Sequence, residues 1–502
     1  MVSIKIYGGK DEIGGNKILV EHKGTKIMLD FGMSFKQDGL YFSEFLKPRE
    51  CAGLNDYFEL GLLPDIKGIY REDYLNKMGI QPEKKDLDGV FLSHAHMDHS
   101  QYICYLREDI PIFCTEETKI ILQAMDNTAN EKNDFVQICP SFKYVPCKTK
   151  SKNPMKRVKR TDEEYLSTRT YNLLNEEEIV TIGNLKIQMI RVDHSLPGAS
   201  AFIIYTDEGS IVYSADIRFH GINQKLSRNF IQKAAEAKPK WFLCEGTRVK
   251  RKEEMKDEFE SFNSEEEVRK QISKLIANTK GLVLAEYPIR DIDRLYSFYL
   301  ASKENGRKFV VGMKQAYLIE KLNGFTPLNL DDLAIFIPRK SWGLITSPEH
   351  EQYQKEQDYE KWEKEFLSRD NSITYLDVIK EPNNYVLSMN LWDINQLSDL
   401  KPENATWIIS RCEPFNDEML LDEERKERWL DHFKIKKEKC HASGHASEAE
   451  IKNMIAEINP EILIPIHTEG ADIMEEFFKS LKKTILVKAA QVQEGKNENT
   501  AI

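Results

Sequence analysis

Residues 2–7 (VSIKIY) alternate apolar and polar side chains and run into Gly8-Gly9, the period of two expected of a half-buried strand closed by a turn. The same pattern recurs in 17–21 and 25–30, split by His22-Lys23-Gly24. Residues 35–85 carry many aromatics and Pro breaks and show no clear period. A nearly continuous apolar strand is predicted over 87–93, and further strands over 110–114, 185–195, 200–207, 209–218 and 235–247. Between them, 115–127 reads as a helix capped by Thr115 with an acidic first turn. Strands with interleaved helices predict an α/β sandwich up to residue 247.

The pattern changes after Arg248. A helical stretch (253–279), a strand (281–288), a helix (291–306) that meets Gly306, and a strand (308–313) followed by another helix alternate as in a second, parallel α/β domain. Residues 349–370 are almost wholly polar and predict a solvated helix. A strand over 405–410, an amphipathic helix over 448–460 and a last strand over 461–469 follow. The tail from about Ala489 is expected to fray.

Composition narrows the class. Apolar residues are 41% and charged residues 30% of 502, which describes a folded chain with a heavily charged surface. No run approaches the ~20 apolar residues of a membrane span, and MVSIKIYGGK lacks the charged head and apolar stretch of a leader. Eight cysteines without a C-x-x-C pair read as reduced thiols in the cytoplasm and give no zinc ribbon. The net charge of −11 argues against coating nucleic acid through overall charge, though a local basic groove or bound metal remains compatible with phosphate. Lys148, Lys150, Lys152, Lys156, Arg157, Lys159 and Arg160 form such a local run, either a phosphate-tracking arm or a solvated loop.

The strongest chemical signal is His94-x-His96-x-Asp98-His99, four ligand-capable side chains in six residues directly after an apolar strand. Imidazole and carboxylate together suit zinc and similar metals. His194, Asp216 and His467 also stand at predicted strand ends, where an α/β sheet places its site. Each alone could be a core residue. Together they complete two metal sites, and the two oxygens of Asp216 could bridge cations about 3.5–4 Å apart, as in phosphoryl displacement.

These residues resemble the metallo-β-lactamase fold. Cys244-Glu245-Gly246-Thr247, His441-Ala442-Ser443-Gly444-His445-Ala446-Ser447 and Ile464-Pro465-Ile466-His467-Thr468-Glu469 are similar to motifs of the β-CASP nucleases, and Gly8-Gly9-Lys10-Asp11-Glu12-Ile13-Gly14-Gly15-Asn16 resembles the opening of ribonuclease J proteins. The resemblance implies a metallo-β-lactamase domain over 1–247 and 436–490, a β-CASP cap inserted at 248–435, and a flexible tail over 491–502. It implies that His94, His96 and His194 hold one zinc, that Asp98, His99 and His467 hold another, and that Asp216 bridges. Asp98 and His445 would be catalytic, with His445 contacting the scissile phosphate or protonating the leaving oxygen, and Glu245 orienting His445. Ser443 and Ser447, with Asp193, would position ligands or phosphate, unless they only cap local turns.

Two departures stand out. Where ribonuclease J proteins carry T-G-S-Q-G-E-P, the aligned stretch is Ile409-Ser410-Arg411-Cys412-Glu413-Pro414, so Ser410 and Arg411 become the candidate phosphate contacts, with Lys156 and Arg157 from the basic run. The last motif reads H-T-E in place of H-G-E. The implied activity is hydrolysis of single-stranded RNA with two Zn2+ (Mn2+ as the alternative), 5′-to-3′ exonucleolytic with endonuclease capacity. DNA processing, a small-molecule metallo-hydrolase and an inactive nucleic-acid-binding subunit are the competing classes. A homodimer through the cap, a cytoplasmic location and no membrane partner complete the expectation.

Overall fold

The computed structural model describes residues 1–129, 133–140, 142–147, 153–159, 162–250, 262–341, 343, 355–414 and 417–481. Lys148, Lys150, Lys152, Arg160 and the expected tail lie outside the described residues. So do 253–261 of the expected first cap helix and 349–354 of the expected solvated helix.

Two six-stranded sheets build the first lobe. One runs Val2–Gly8, Lys17–His22, Thr25–Leu29, Gly89–Phe91, Ile112–Cys114, Tyr171–Leu173. The other runs Ile179–Ile182, Leu185–Arg191, Ser200–Thr206, Gly209–Tyr213, Trp241–Glu245, Ile462–Ile466. The strand alternation sets the layers. Ile18, Val20, Ile27 and Leu29 point to a core shared with Ile187, Phe202, Ile204 and Leu243 of the facing sheet. Their neighbours Leu19 and Met28 point the other way, toward the helix Glu116–Thr128. On the far side, Ala201, Ile203, Val212 and Phe242 pack against the helices Gln224–Glu236, Glu448–Ile458 and Ala471–Ser480. The result is a four-layer helix–sheet–sheet–helix sandwich.

The helix Gln224–Glu236 stands where only a later strand, 235–247, was expected; that strand is limited to Trp241–Glu245. Ser227, Phe230, Ile231 and Ala234 are its buried positions, a spacing of three and four that marks an amphipathic helix.

The second lobe holds a seven-stranded sheet whose pairs are all parallel, in the order Ser372–Ile373, Ala334–Phe336, Lys308–Gly312, Tyr385–Ser388, Val283–Glu286, Thr406–Ile409, Lys436–Lys439. The last of these lies beyond the boundary expected at 436: Lys436–Lys439 is a cap strand, and the chain returns to the sandwich only after it. Residues 355–370 also depart from expectation. They form no continuous solvated helix; 355–357 are helical and Lys364–Phe366 is a single 3-10 turn. Tyr359, Glu363 and Phe366 are buried, Trp362 stacks edge-on against Tyr317 at 5.7 Å, and Glu363 pairs with Lys340. The charged majority of this stretch conceals apolar anchors that draw it onto the cap.

The strand Trp241–Glu245 leads into the cap, and Ile462–Ile466 pairs beside it in parallel after the chain has returned. Buried charge closes the seam between the lobes. Arg218 of the sandwich pairs with Asp293 of the cap and lies 3.3 Å from Asp193. Arg294, fully buried, donates to Glu265 at 2.8 and 3.0 Å, to Ser410 Oγ at 2.6 Å and to the Ala442 carbonyl at 3.0 Å. Removing one member of such a cluster strands a charge without solvent. Arg294→Ala is therefore expected to cost about 3–5 kcal/mol, because it leaves Glu265 with only the longer 3.8 Å contact to Arg218 as an ion pair. A thermal unfolding midpoint equal to that of the unsubstituted protein would refute this.

Candidate metal centre

The strand Gly89–Phe91 delivers the chain to Ser93 and His94, and His96 turns it into the short helix Met97–Ser100 with extended backbone (φ −71°, ψ 149°). That turn points His94 and His96 to one side and sets Asp98 and His99 in the first turn of the helix. His194 follows the strand Leu185–Arg191, Asp216 follows Gly209–Tyr213, and His467 follows Ile462–Ile466. Three residues at these strand ends, Asp30, Ala215 and His467, take left-handed φ of 55°, 48° and 50°. Such conformations cost energy in non-glycine residues and collect where function constrains the backbone. The His467 amide is held there by the Gly9 carbonyl at 2.6 Å.

The side chains converge as two groups. In the first, His94 Nε2 and His194 Nε2 lie 3.0 and 3.1 Å from His96 Nδ1, and Asp216 Oδ2 lies 3.5 and 3.7 Å from His94 and His194. In the second, Asp98 Oδ2 is 3.1 Å from His467 Nε2, and Asp216 Oδ1 is 3.2 Å from His99 Nε2 and 3.6 Å from His467 Nε2. Tetrahedral ligands about 2.0–2.1 Å from a zinc stand about 3.3 Å from one another, so these spacings are those of a metal cage. Asp216 gives one oxygen to each group. Among the described residues, His99 Nε2 and Asp216 Oδ1 are buried side-chain atoms without a hydrogen-bond partner, a condition that costs free energy unless something fills the space. The donor set and the two orphaned atoms fit a metal ion.

The outer contacts fix the imidazole tautomers. His99 Nδ1 donates to Asp30 Oδ2 at 2.7 Å, leaving Nε2 as a ligand. Asp30 is itself held by Ser93 Oγ at 2.8 Å and the Tyr213 hydroxyl at 2.5 Å. His94 Nδ1 meets Ser93 Oγ at 2.9 Å, and His194 Nδ1 donates to the Gly444 carbonyl at 2.7 Å. Thr247 Oγ1 donates to Glu245 Oε2 at 2.7 Å and accepts from His467 Nδ1 at 2.8 Å. Each contact turns the opposite nitrogen inward, as outer partners of metal-ligating histidines do.

Burial holds His94 and His194 well below the usual imidazole range, reinforced by neighbouring imidazoles, and takes His96 down to about 3. These three are neutral and ready to ligate. Burial also opposes the charge on His99, but Asp216, Asp98 and Asp30 outweigh it and raise that group. His445 lies beside both groups, with Nδ1 3.3 Å from Glu245 Oε1 and Nε2 3.9 Å from Asp216 Oδ2. Burial pulls its pKa down, and Glu245 and Asp216 more than reverse this, to about 9.

The structure thus brings His94, His96, Asp98, His99, His194, Asp216, Glu245, His445 and His467 together. It places the other expected residues differently. Ser410 is fully buried and bonded to the Cys440 carbonyl and to Arg294, so its hydroxyl serves the cap interior and not a phosphate. Arg411 lines the cavity beside His96, but Glu286 at 2.7 Å and Glu423 hold its guanidinium. Ser447 caps the helix Glu448–Ile458 in a reciprocal box with Glu450. Ser443 accepts from the His445 amide at 3.1 Å and shapes that turn, and Asp193 accepts from the Gly221 amide at 2.9 Å. Lys156 and Arg157 lie on a short hairpin and pair with Asp162 at 3.5 Å and Glu50 at 3.3 Å, not with the metal groups.

Asp30 and Thr247 are the contributors that sequence reasoning missed. Asp30 closes an apolar strand as His94 and Asp216 nearly do, but a lone acid carries no spacing signal. Thr247 sat in view within Cys244-Glu245-Gly246-Thr247.

Residues 70–230 match the model of a beta-lactamase superfamily domain, and residues 432–484 match a Zn-dependent metallo-hydrolase RNA specificity domain. Ribonuclease J of Pyrococcus abyssi (strain GE5 / Orsay) is 24% identical over 516 residues, spanning 97% of this chain and 95% of that protein. Ribonuclease J of Mycoplasma pneumoniae is 23% identical over 479 residues, spanning 92% and 67%. A crystal structure of a protein of unknown function from Enterococcus faecalis V583 superposes with a TM-score of 0.69 at 24% identity, covering 94% of this chain and 95% of that one. That likeness establishes the fold alone.

Asp30 gives a sharp test of the outer contacts. Asp30→Ala is expected to weaken metal affinity about 10- to 100-fold, read by chelator competition on folded protein. Unchanged affinity would mean that Asp30 only packs.

Proposed function

We propose, from the premise that the chain is a metallo-β-lactamase and β-CASP protein of the ribonuclease J kind, that it is a metal-dependent nuclease hydrolysing phosphodiester bonds of single-stranded RNA. The observation that carries this reading is Asp216, whose two oxygens face two separate ligand groups beside the His445–Glu245 pair. RNA is favoured by the matched RNA specificity domain and by relatives named ribonuclease J. The parallel α/β cap over the sandwich favours a polymer over a small molecule.

In this reading His94, His96 and His194 hold one Zn2+, Asp98, His99 and His467 hold a second, and Asp216 contributes to both. Bound there, a metal would supply Lewis acidity and would lower the pKa of water. His445 carries one proton on Nδ1 against Glu245 and a second on Nε2, which faces Asp216. From there it donates a proton to the departing oxygen of the cleaved diester, a task suited to imidazole. Glu245 keeps the ring in that orientation, because the Ile217 amide at 2.9 Å and Thr247 fix its own carboxylate. The polarity is proposed as 5′-to-3′ with endonuclease capacity, and a homodimer through the cap remains part of the proposal. Among the described residues no helix is long and apolar enough to cross a membrane. The eight cysteines are all free, which supports a reducing cytoplasm.

The test is cleavage of matched single-stranded RNA and DNA, labelled at either end, by zinc- or manganese-loaded protein. The expected products are mononucleotides released early from the 5′ end of RNA. Asp216→Ala is expected to abolish cleavage, and His445→Ala to slow it about 10²- to 10⁴-fold while retaining metal. Equal cleavage of DNA would move the substrate assignment. Cleavage that survives Asp216→Ala would overturn the metal assignment.

A further inference from the structure

The turn that joins the first two strands, from Gly8 to Lys17, lies against the second ligand group. The Gly9 carbonyl accepts from the His467 amide at 2.6 Å, and the Asn16 amide donates to the Asp98 carbonyl at 3.0 Å. Gly14 has a φ of 82°, and a Cβ there would stand 2.8 Å from Asp98 Cβ and 2.9 Å from Asp98 Oδ2. The backbone of this turn therefore sets the space around the Asp98 carboxylate.

A second segment, after the strand Thr25–Leu29, braces the same ligands. The Phe31 amide donates to the His99 carbonyl at 2.8 Å, and the Met33 amide to the Met97 carbonyl at 3.1 Å. A Cβ on Gly32 would lie 1.7 Å from the Asp98 carbonyl oxygen, so backbone passes backbone there with no room for a side chain. The Gly32 amide also donates to the Asn16 carbonyl at 3.0 Å.

Lys17 reinforces the join between these two segments. Its side chain is buried, and Nζ donates to the Gly15 carbonyl at 2.8 Å and to the Gly32 carbonyl at 2.9 Å. The ammonium stands over the Tyr102 ring, 5.5 Å from its centroid, within cation–π range. Burial pulls its pKa down to about 8, and Glu12 opposes the fall. Glu12 itself accepts from the Gly9 amide at 3.1 Å and the Ser34 hydroxyl at 2.6 Å. An apolar side chain of similar volume would fill the space without the cost of burying a charge. What the ammonium adds is two directed bonds, one to each segment. The first ligand group is held from elsewhere, His94 by Ser93 and His194 by the Gly444 carbonyl.

We propose that Lys17 is a positioning residue for the second ligand group alone: its ammonium locks the Gly8–Lys17 turn to Gly32, and through that lock keeps Asp98, His99 and His467 at metal-binding spacing. This rests on the two-metal reading above and deepens it, by naming a side chain that touches no metal and yet sets the affinity of one site of the pair. The contacts run through backbone, which explains why a lysine that stands away from every ligand in sequence bears on three of them.

The test compares Lys17→Met with the unsubstituted protein. Both are loaded with zinc and dialysed against a chelator of graded strength, and zinc per chain is measured. Anomalous diffraction at the zinc edge then shows which group has emptied. The unsubstituted protein is expected to hold zinc in both groups. Lys17→Met is expected to weaken the zinc among Asp98, His99 and His467 about 10- to 100-fold, and to leave the zinc among His94, His96 and His194 unchanged. Lys17→Gln, which keeps an N–H donor, is expected to recover part of the loss. RNA cleavage by Lys17→Met should fall in step and return as zinc is raised. Full retention of both zincs overturns the proposal, and so does an equal loss from both groups or a loss from the first alone. Failure of both variants to fold would make Lys17 a residue of the fold only and would also overturn it. If the unsubstituted protein holds zinc in one group only, the two-metal reading itself falls.

Discussion

The molecule buries one carboxylate, Asp216, at 1% exposure among imidazoles that approach it from different strand ends. A charge removed from water costs several kcal/mol unless partners repay it. Here His94 and His194 meet one oxygen while His99 and His467 meet the other. Each histidine is in turn held by a contact that fixes its tautomer. The sandwich exists in a form that allows this. Its strands end at one rim, where left-handed backbone occurs at Asp30 and His467, which themselves face the site, and at Ala215 just before Asp216.

The cap is coupled to that rim by buried polar chemistry. Arg218 follows Asp216 by two positions and reaches Asp293, and Arg294 reaches the turn that leads to His445 through the Ala442 carbonyl. Arg290 crosses from the cap to the carbonyl of Ala95, between two metal-facing histidines. A cleft whose walls are tied together at the chemistry is suited to hold a polymer against the reacting atoms. Orientation of this kind is a large share of what a hydrolase contributes to rate.

Much of this was legible in the chain, for a physical reason. Ligands must stand at strand ends, and apolar runs that stop at His94, at Asp216 and at His467 announce them. Asp30 escaped because a single acid after a strand is ordinary. Ser410 was misplaced because a motif position does not say whether a hydroxyl faces a cleft or a neighbouring strand, and here Arg294 and the Cys440 carbonyl claim it. The segment around Tyr359, Trp362 and Phe366 read as solvent-facing because charges outnumber its anchors. The strand Lys436–Lys439 has no apolar signal, being an edge strand of charged residues, as edges commonly are, so the end of the cap fell a strand later than expected.

The central claim is that Asp216 organises two metal sites. Anomalous diffraction at the zinc edge from crystals of the zinc-loaded protein tests it directly. The account predicts two peaks, one among His94, His96 and His194 and the other among Asp98, His99 and His467, each against a different oxygen of Asp216. A single peak, or peaks away from Asp216, would contradict it.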